Sequence, residues 1–555
     1  MSRRIVCAIV WVFVAGTAVA ASAQSFRVQC PPSTITHPNA ANNNAEPAYT
    51  GATNGSTYVY TPGGASAGPV NGAIKCQQIS GGDGYATMGD GTQTYLFAFG
   101  PLSGLADVAN GLPGTQFPAI FNTLPAGPLL PGDPATTDNA STTTTSSGTF
   151  GFNGAVGLIP NLDSMGDGNC TGAACIDGHV DPRQIMDVGV MNGNVPAPLM
   201  AIDEDDEYFL TLSNVGMIMR PDLFEQHTVH FHGYPNASSF YDGVPDASVA
   251  INIGGSFTYY YLAPDAGTYF YHCHITPPEH LQMGMVGQLY VRPRQNRVPS
   301  GTSVFMALQA QQSDPRTACN PNTDILCTNP LPYSIVHGTD NSPDGGFQAV
   351  DPATKKPLAD PETKKYAYND GDGSTQYDVE YPLQIHGFDP NFHFVGMTFN
   401  PEGFADMKDK YFLLNGRSYP DTVTSGPLTT QSADGVNHFS QPLPAIINIP
   451  AGKKALLRIS DLDVSEYQTL ASLGIPMTVI GINAKLLRDQ SGNNMYYKTN
   501  SITLGGGESL DVILDASDTT RYSSGQVFYL YTPNLDHLAN DAENFGGLMT
   551  EVHIL

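Results

Sequence analysis

Metal-type donors crowd one stretch of this chain. The stretch opens with His227-Thr-Val-His230-Phe-His232-Gly233 and closes with Tyr271-His272-Cys273-His274, His280 and Met285. Side chains alternate faces along an extended strand, so His230 and His232 share one face, while His272 and His274 share another with Cys273 pointing away. His227 has the opposite parity to His230. If the two segments are adjacent strands, two donor sets follow. The first is His227, Cys273, His280 and Met285: two imidazoles, a thiolate and a thioether, the trigonal set with a weak axial Met that holds blue copper. The second is His230, His232, His272 and His274, four imidazoles facing outward. Cys273 adjoins both His272 and His274, which gives an electron a short covalent path from one set to the other. A lone buried His is ordinarily a core residue satisfied by one hydrogen bond, and a lone free Cys a small buried hydrophobe. Six His and one Cys within 54 positions, in consistent parity and closed by a Met, do not fit that account.

These motifs, His227 to Gly233 and His272-Cys-His274 followed by His280-Leu-Gln-Met-Gly-Met285, resemble the copper motifs of the multicopper oxidase family. That family includes laccase-type oxidases and two-domain copper nitrite reductases. The spacing of five from His280 to Met285 is similar to both groups, whereas the seven residues from Cys273 to His280 fall between them. The resemblance implies type 1 copper at the first set and type 2 or type 3 copper at His230, His232, His272 and His274. It also implies dioxygen as electron acceptor, a small molecule or metal ion as electron donor, and a ring-forming homo-oligomer such as a trimer.

Met1 to Ala23 reads as a secretory signal, with Arg3 and Arg4, an apolar run from Ile5 to Ala20 and the small residues Ala21-Ser-Ala23. No stop-transfer pattern follows it, so no membrane anchor is expected, and the protein is expected in a periplasm or outside the cell. The single Trp, Trp11, lies in this segment and would be absent from the mature chain. Losing Arg3 and Arg4, two of 24 basic residues set against 51 acidic ones, takes the net charge from −27 to −29. Such a surface repels nucleic acid and suits a cationic substrate or a basic redox partner, though it also simply keeps a secreted protein soluble.

Of eight Cys, Cys7 lies in the signal and Cys273 in the copper set. The remaining six are an even set in an exported chain and point to disulfides. Cys170 with Cys175, and Cys319 with Cys327, are close enough to pair locally, which would leave Cys30 with Cys76; the connectivity stays open. A structural zinc site is the rival, and no Cys-x-x-Cys spacing supports it.

With 43 Pro, 58 Gly and few long helical periods, the chain reads as all-β, and its length calls for two domains. The resemblance makes these two cupredoxin-like Greek-key β-sandwich domains with a long loop insertion in the first. The expected layout is an irregular arm over 24–80 and a copper-carrying domain over 81–295, interrupted by a Pro/Gly/Thr-rich insertion at about 100–180. A connecting segment over 296–368 and a second domain over 369–555 complete it. The acidic run Asp203-Glu-Asp-Asp-Glu207 reads as a solvated strand edge. Gly505-Gly-Gly507, between strand-like runs and without a following Lys, reads as a tight turn and not as a phosphate loop.

One departure from the family matters. Its complete trinuclear cluster draws histidines from two domains, yet the second domain here has no Cys and no His-x-His pair. Its histidines, His386, His393, His438, His537 and His553, are scattered, and His337 lies in the connection. Three readings compete. The first is an oxidase whose outward histidines meet further ligands across a subunit interface, with His386, His393 or His537 completing an unusual cluster. The second is a nitrite reductase relative, in which His232 and His272 match the second copper's ligands. His230 then stands where that group keeps an Asp, and Asn483 and Pro533 stand where it keeps His. The third is a non-enzymatic blue-copper electron carrier.

Overall fold

A computed structural model describes residues 74–121, 191–297 and 365–555, apart from a few short stretches within them, together with Cys30, Pro31, Thr34 and Gly301. The signal segment, Cys170, Cys175, Cys319, Cys327 and most of the insertion and connection lie outside the described residues. No helix among those described is long and apolar enough to cross a membrane.

The fold is all-β, with described α-helices of no more than six residues. The copper-motif half is built from β1 (Ile74–Thr87), β2 (Gln93–Pro101), β3 (Ala197–Asp203), β4 (Glu207–Gly216), β5 (His230–His232), β6 (Ser256–Leu262), β7 (Gly267–His272) and β8 (Val286–Arg292). These form two four-stranded sheets, in the orders β2-β1-β4-β6 and β3-β8-β7-β5. Aromatic and β-branched residues such as those of Ser256-Phe-Thr-Tyr-Tyr-Tyr-Leu262 suit a pleated, half-buried surface. Their inward rings fill the space between the sheets, where Phe231 stacks on Tyr261 at 3.8 Å. The core hydroxyls are satisfied too: Tyr271 donates to the Pro198 carbonyl at 2.6 Å, and Tyr259 accepts from the Val229 amide at 3.0 Å.

β1 begins at Ile74, inside the stretch expected to be an irregular arm, because its apolar face packs in the core and its backbone pairs with both β2 and β4. The Cys30–Cys76 disulfide ties the preceding segment to this strand. The acidic run is not a solvated edge either: Asp203, Glu204, Asp206 and Glu207 are all buried. Lys75 of β1 forms ion pairs with Asp203 and Asp206, which makes burial of the carboxylates tolerable.

The second half packs a seven-stranded sheet centred on Val379–Phe388, Lys454–Asp461 and Glu508–Asp515 against a five-stranded one that includes Gln468–Leu473 and Val527–Tyr531. Buried polar contacts join the halves. Arg292 of β8 and Arg458 both grip Glu380, Thr268 donates to Asp511 at 2.5 Å, and Gln288 donates to the Arg458 carbonyl at 2.7 Å. The two arginines hold the Glu380 carboxyl down at about 2 against the opposing effect of its burial.

Candidate metal centre

β5 and β7 are antiparallel neighbours, with His230 opposite His272 and His232 opposite Phe270. Val229 and Phe231 turn into the core while His230 and His232 face the other way. Beyond β7 the chain makes a closed loop that includes the short helix Pro277–Gln282. The Met285 amide donates to the His280 carbonyl at 2.9 Å, and the Cys273 amide to the Met285 carbonyl at 3.2 Å. Those bonds bring three separated side chains to one point.

At that point His227, Cys273 and His280 are fully buried, and their donor atoms lie within 4.8 Å of one another. Nδ1 of His280 stands 3.2 Å from the Cys273 sulfur and Nδ1 of His227 stands 4.0 Å from it. The Thr228 amide donates to the same sulfur at 3.4 Å. Met285 is also fully buried, and its methyl carbon and the His227 ring both crowd the space that a side chain on Gly81 would need. Phe97 caps the group, edge-on to His280 at 5.1 Å. Burial opposes ionisation of Cys273, but His280 and His227 hold its thiol well below the usual range. In turn burial lowers His280, while the Cys273 thiolate and Glu225 raise it to about 9. Two imidazoles turned on a thiolate, with a thioether beside them, form the soft donor set that suits copper.

The second group sits on the other side of Cys273. Donor atoms of His230, His232 and His272 lie within 4.8 Å of one another, so three of the four expected imidazoles form the tight set. His274 stands beside them, its ring 5.2 Å from that of His230 and 5.7 Å from that of His272. Nδ1–H of His230 donates to the Asp242 carbonyl at 2.7 Å, and Nδ1–H of His272 to the Cys273 carbonyl at 2.8 Å. These bonds fix the tautomers and leave Nε2 of both rings as the electron-pair donor. Burial pushes His272 down to about 3 and His232 to about 4, with the neighbouring imidazoles adding to it. Both rings are therefore neutral and ligand-competent at ordinary pH.

A cavity of about 500 Å³ opens against His232 and His272. Pro277, Pro278 and Leu281 form its first-half wall, and residues 462–467 and 505–507 of the second half form the rest. Gly505 to Gly507 make the tight turn expected of them, and its position over His232 was not legible from sequence. The turn places Gly507, at φ +99°, so that a Cβ there would lie 3.4 Å from the His232 ring.

The scattered histidines of the second half do not complete this group. His386 donates to the Leu281 carbonyl at 2.9 Å, and His393 lies between the Tyr95 and Gln282 carbonyls. His537 stacks on Phe412 at 3.8 Å and contacts Gln468 and Glu466. His438 is buried in another strand, and His553 pairs with Glu551. His337 is outside the described residues. Asn483, singled out in the sequence by the resemblance to nitrite reductases, accepts from the Ser509 amide at 2.9 Å.

Residues 176–296 match the family model described as multicopper oxidase. Over 142 residues the chain is 32% identical to the multicopper oxidase MCE of Talaromyces pinophilus, covering 25% of this chain and 22% of that one. It is 36% identical over 109 residues to a copper-containing nitrite reductase of Rhizobium meliloti, covering 19% of this chain and 26% of the relative. The chain thus spans about a quarter or less of the length of these relatives. Among solved structures it is similar to the blue copper oxidase from Nitrosomonas europaea, at 22% identity and a TM-score of 0.40, over 65% of this chain and 78% of that one. The segment over 176–296, which contains both histidine groups and Cys273, is the part of the chain that matches the multicopper oxidase model.

Proposed function

We propose that this protein is an exported copper-dependent oxidoreductase. It oxidises a reducing small molecule or metal ion one electron at a time at the His227/Cys273/His280/Met285 site and passes the electrons to dioxygen at the His230/His232/His272/His274 site. The observation that carries this reading is Cys273 itself, whose sulfur belongs to one donor group while its peptide neighbours are His272, a member of the other, and His274, whose ring lies beside it. Copper bound at the two groups would supply one-electron transfer and dioxygen reduction. The chain supplies the rest. His227, His280, Cys273 and Met285 exclude water from the thiolate, which limits reorganisation when charge changes. The Thr228 amide holds the sulfur in place. Carbonyls of Asp242 and Cys273 keep the protons of His230 and His272 turned away from the site. The cavity gives a small acceptor a route to His232 and His272.

One observation favours a second reading. Three imidazoles, not four, form the tight group, and among the described residues no second-half histidine joins them. A single copper held by three imidazoles suits a small oxyanion acceptor such as nitrite, the substrate named for the Rhizobium meliloti relative.

The absorption spectrum of the copper-loaded, oxidised protein decides between them. An intense red thiolate band with a near-ultraviolet shoulder from a bridged copper pair, together with dioxygen consumption, is the expected result. The band without the shoulder, with nitrite and not dioxygen consumed, moves the assignment to the second reading. No consumption of either leaves an electron carrier, and no red band removes the thiolate site.

A further inference from the structure

The end of the helix Pro277–Gln282, which carries His280, is held by the second half of the molecule. Leu281 and Gln282 are its last residues; the Leu281 carbonyl accepts from the Gly284 amide at 3.0 Å and has a second lone pair free for a bond from outside the helix. His386, from the strand Val379–Phe388, donates through Nε2 to the Leu281 carbonyl at 2.9 Å. His393, from the helix Pro390–Val395, places Nε2 2.9 Å from the Gln282 carbonyl and Nδ1 2.6 Å from the Tyr95 carbonyl. The Gln282 side chain is gripped as well: it accepts from the Asp389 amide at 3.0 Å and donates to Asp409 at 3.0 Å. Tyr95 lies two residues before Phe97, the ring that caps His280. Burial keeps this ring neutral, so its single N–H donates to one of the two carbonyls while the ring stays packed between the strand that carries the cap and the helix that carries the ligand. Both histidines are 1% exposed, and His393 stacks on Phe388 at 3.6 Å, so neither has room to swing away.

We propose that His386 and His393 are positioning residues for the thiolate site: they fix where the ligand helix ends, and thereby where His280 and Met285 stand relative to Cys273. This rests on the reading of that site as a redox metal centre. Neither histidine touches the donor atoms. They act through two carbonyls, which is why no metal-ligand spacing marks them in the sequence.

The test uses the full chain with His386→Leu, His393→Leu and His386→Gln, the last because the Gln amide nitrogen reaches the place of Nε2. In the metal-free protein, amide hydrogen exchange over residues 279–286 should quicken about tenfold in the two Leu variants, the factor one ordinary hydrogen bond carries. It should return towards the native rate in His386→Gln, with exchange over the strand Glu508–Asp515 unchanged throughout. After copper loading, the thiolate band and the reduction potential should shift in the Leu variants and recover in His386→Gln. Native exchange over 279–286 in both Leu variants overturns the proposal, as does a His386→Gln variant no closer to native than His386→Leu. Should a Leu variant fail to fold, His386→Ala or His393→Ala, which also removes the donor, replaces it: quickening confined to 279–286 supports the anchor and native exchange there overturns it. A native protein without a thiolate band would defeat the redox reading alone, since the exchange experiment needs no copper.

Discussion

The two donor groups are joined through one residue yet occupy different media. His227, Cys273, His280 and Met285 are sealed in the core of one sandwich, whereas His230, His232 and His274 are only partly covered and the cavity reaches His232 and His272. A sealed, soft site suits electron transfer, because nothing has to enter or leave. A group of neutral imidazoles at a cavity mouth suits ligand exchange. On the proposed reading, the division of labour is written in burial as much as in ligand type.

The sharpest way to break that contrast is to remove one group at a time. Cys273→Ser should abolish the red thiolate band entirely while copper still binds at the imidazole group. His272→Ala should do the reverse, keeping the band and losing the second copper together with acceptor consumption. Metal analysis and absorption on the two variants check both, and loss of both coppers in either would show that the groups are not separable.

A smaller effect is expected at the junction between the halves. Glu380→Gln leaves the buried Arg292 and Arg458 without their shared carboxylate, and should lower the unfolding free energy by about 3–5 kcal/mol in urea titrations. The sign with pH follows from the folded pKa of about 2, below the ordinary 4.5. The stabilisation is complete above the ordinary value and is lost as pH falls towards the folded one, and the variant should lack that dependence. Because the pair joins the halves, the imidazole group at the cavity should release copper before the thiolate band fades.

Two glycines give the finest probe. Gly81→Ala would put a methyl 2.7 Å from the His227 ring, costing about 1–3 kcal/mol by overpacking and shifting the thiolate band. Gly507→Ala forces a positive φ on a residue with a side chain, costing about 1–2 kcal/mol, and should change only the spectrum of the imidazole group. A thiolate band altered equally by both would erase the distinction between sealed and open sites.

Much of this was legible in the chain. Strand parity separates His230 and His232 from His227, and the loop from Cys273 to Met285 carries its ligands at recognisable spacing. Parity alone does not tell that the His274 ring lies as near His230 as the His272 ring does while its donor atoms stay outside the tight set of three. Nor does sequence show that His386 and His393 serve the ligand helix, since both act across the boundary between the halves on backbone oxygens that any residue would offer. The burial of the acidic run is hidden from local sequence for a different reason: its cation, Lys75, is supplied by a strand 128 residues away from Asp203.

The hydrogen bond from His272 to the Cys273 carbonyl has a consequence for how this pair of sites can change over generations of substitution. A thiolate is a side chain and can be exchanged by a single mutation. A carbonyl belongs to the backbone, and no replacement at position 273 deletes it. The thiolate site can therefore be lost outright while His272 keeps its tautomer, so a descendant with only the imidazole group is one mutation away. The reverse loss, through His272, removes a ligand and leaves the sulfur untouched. Each site is heritable on its own, although one residue stitches them together.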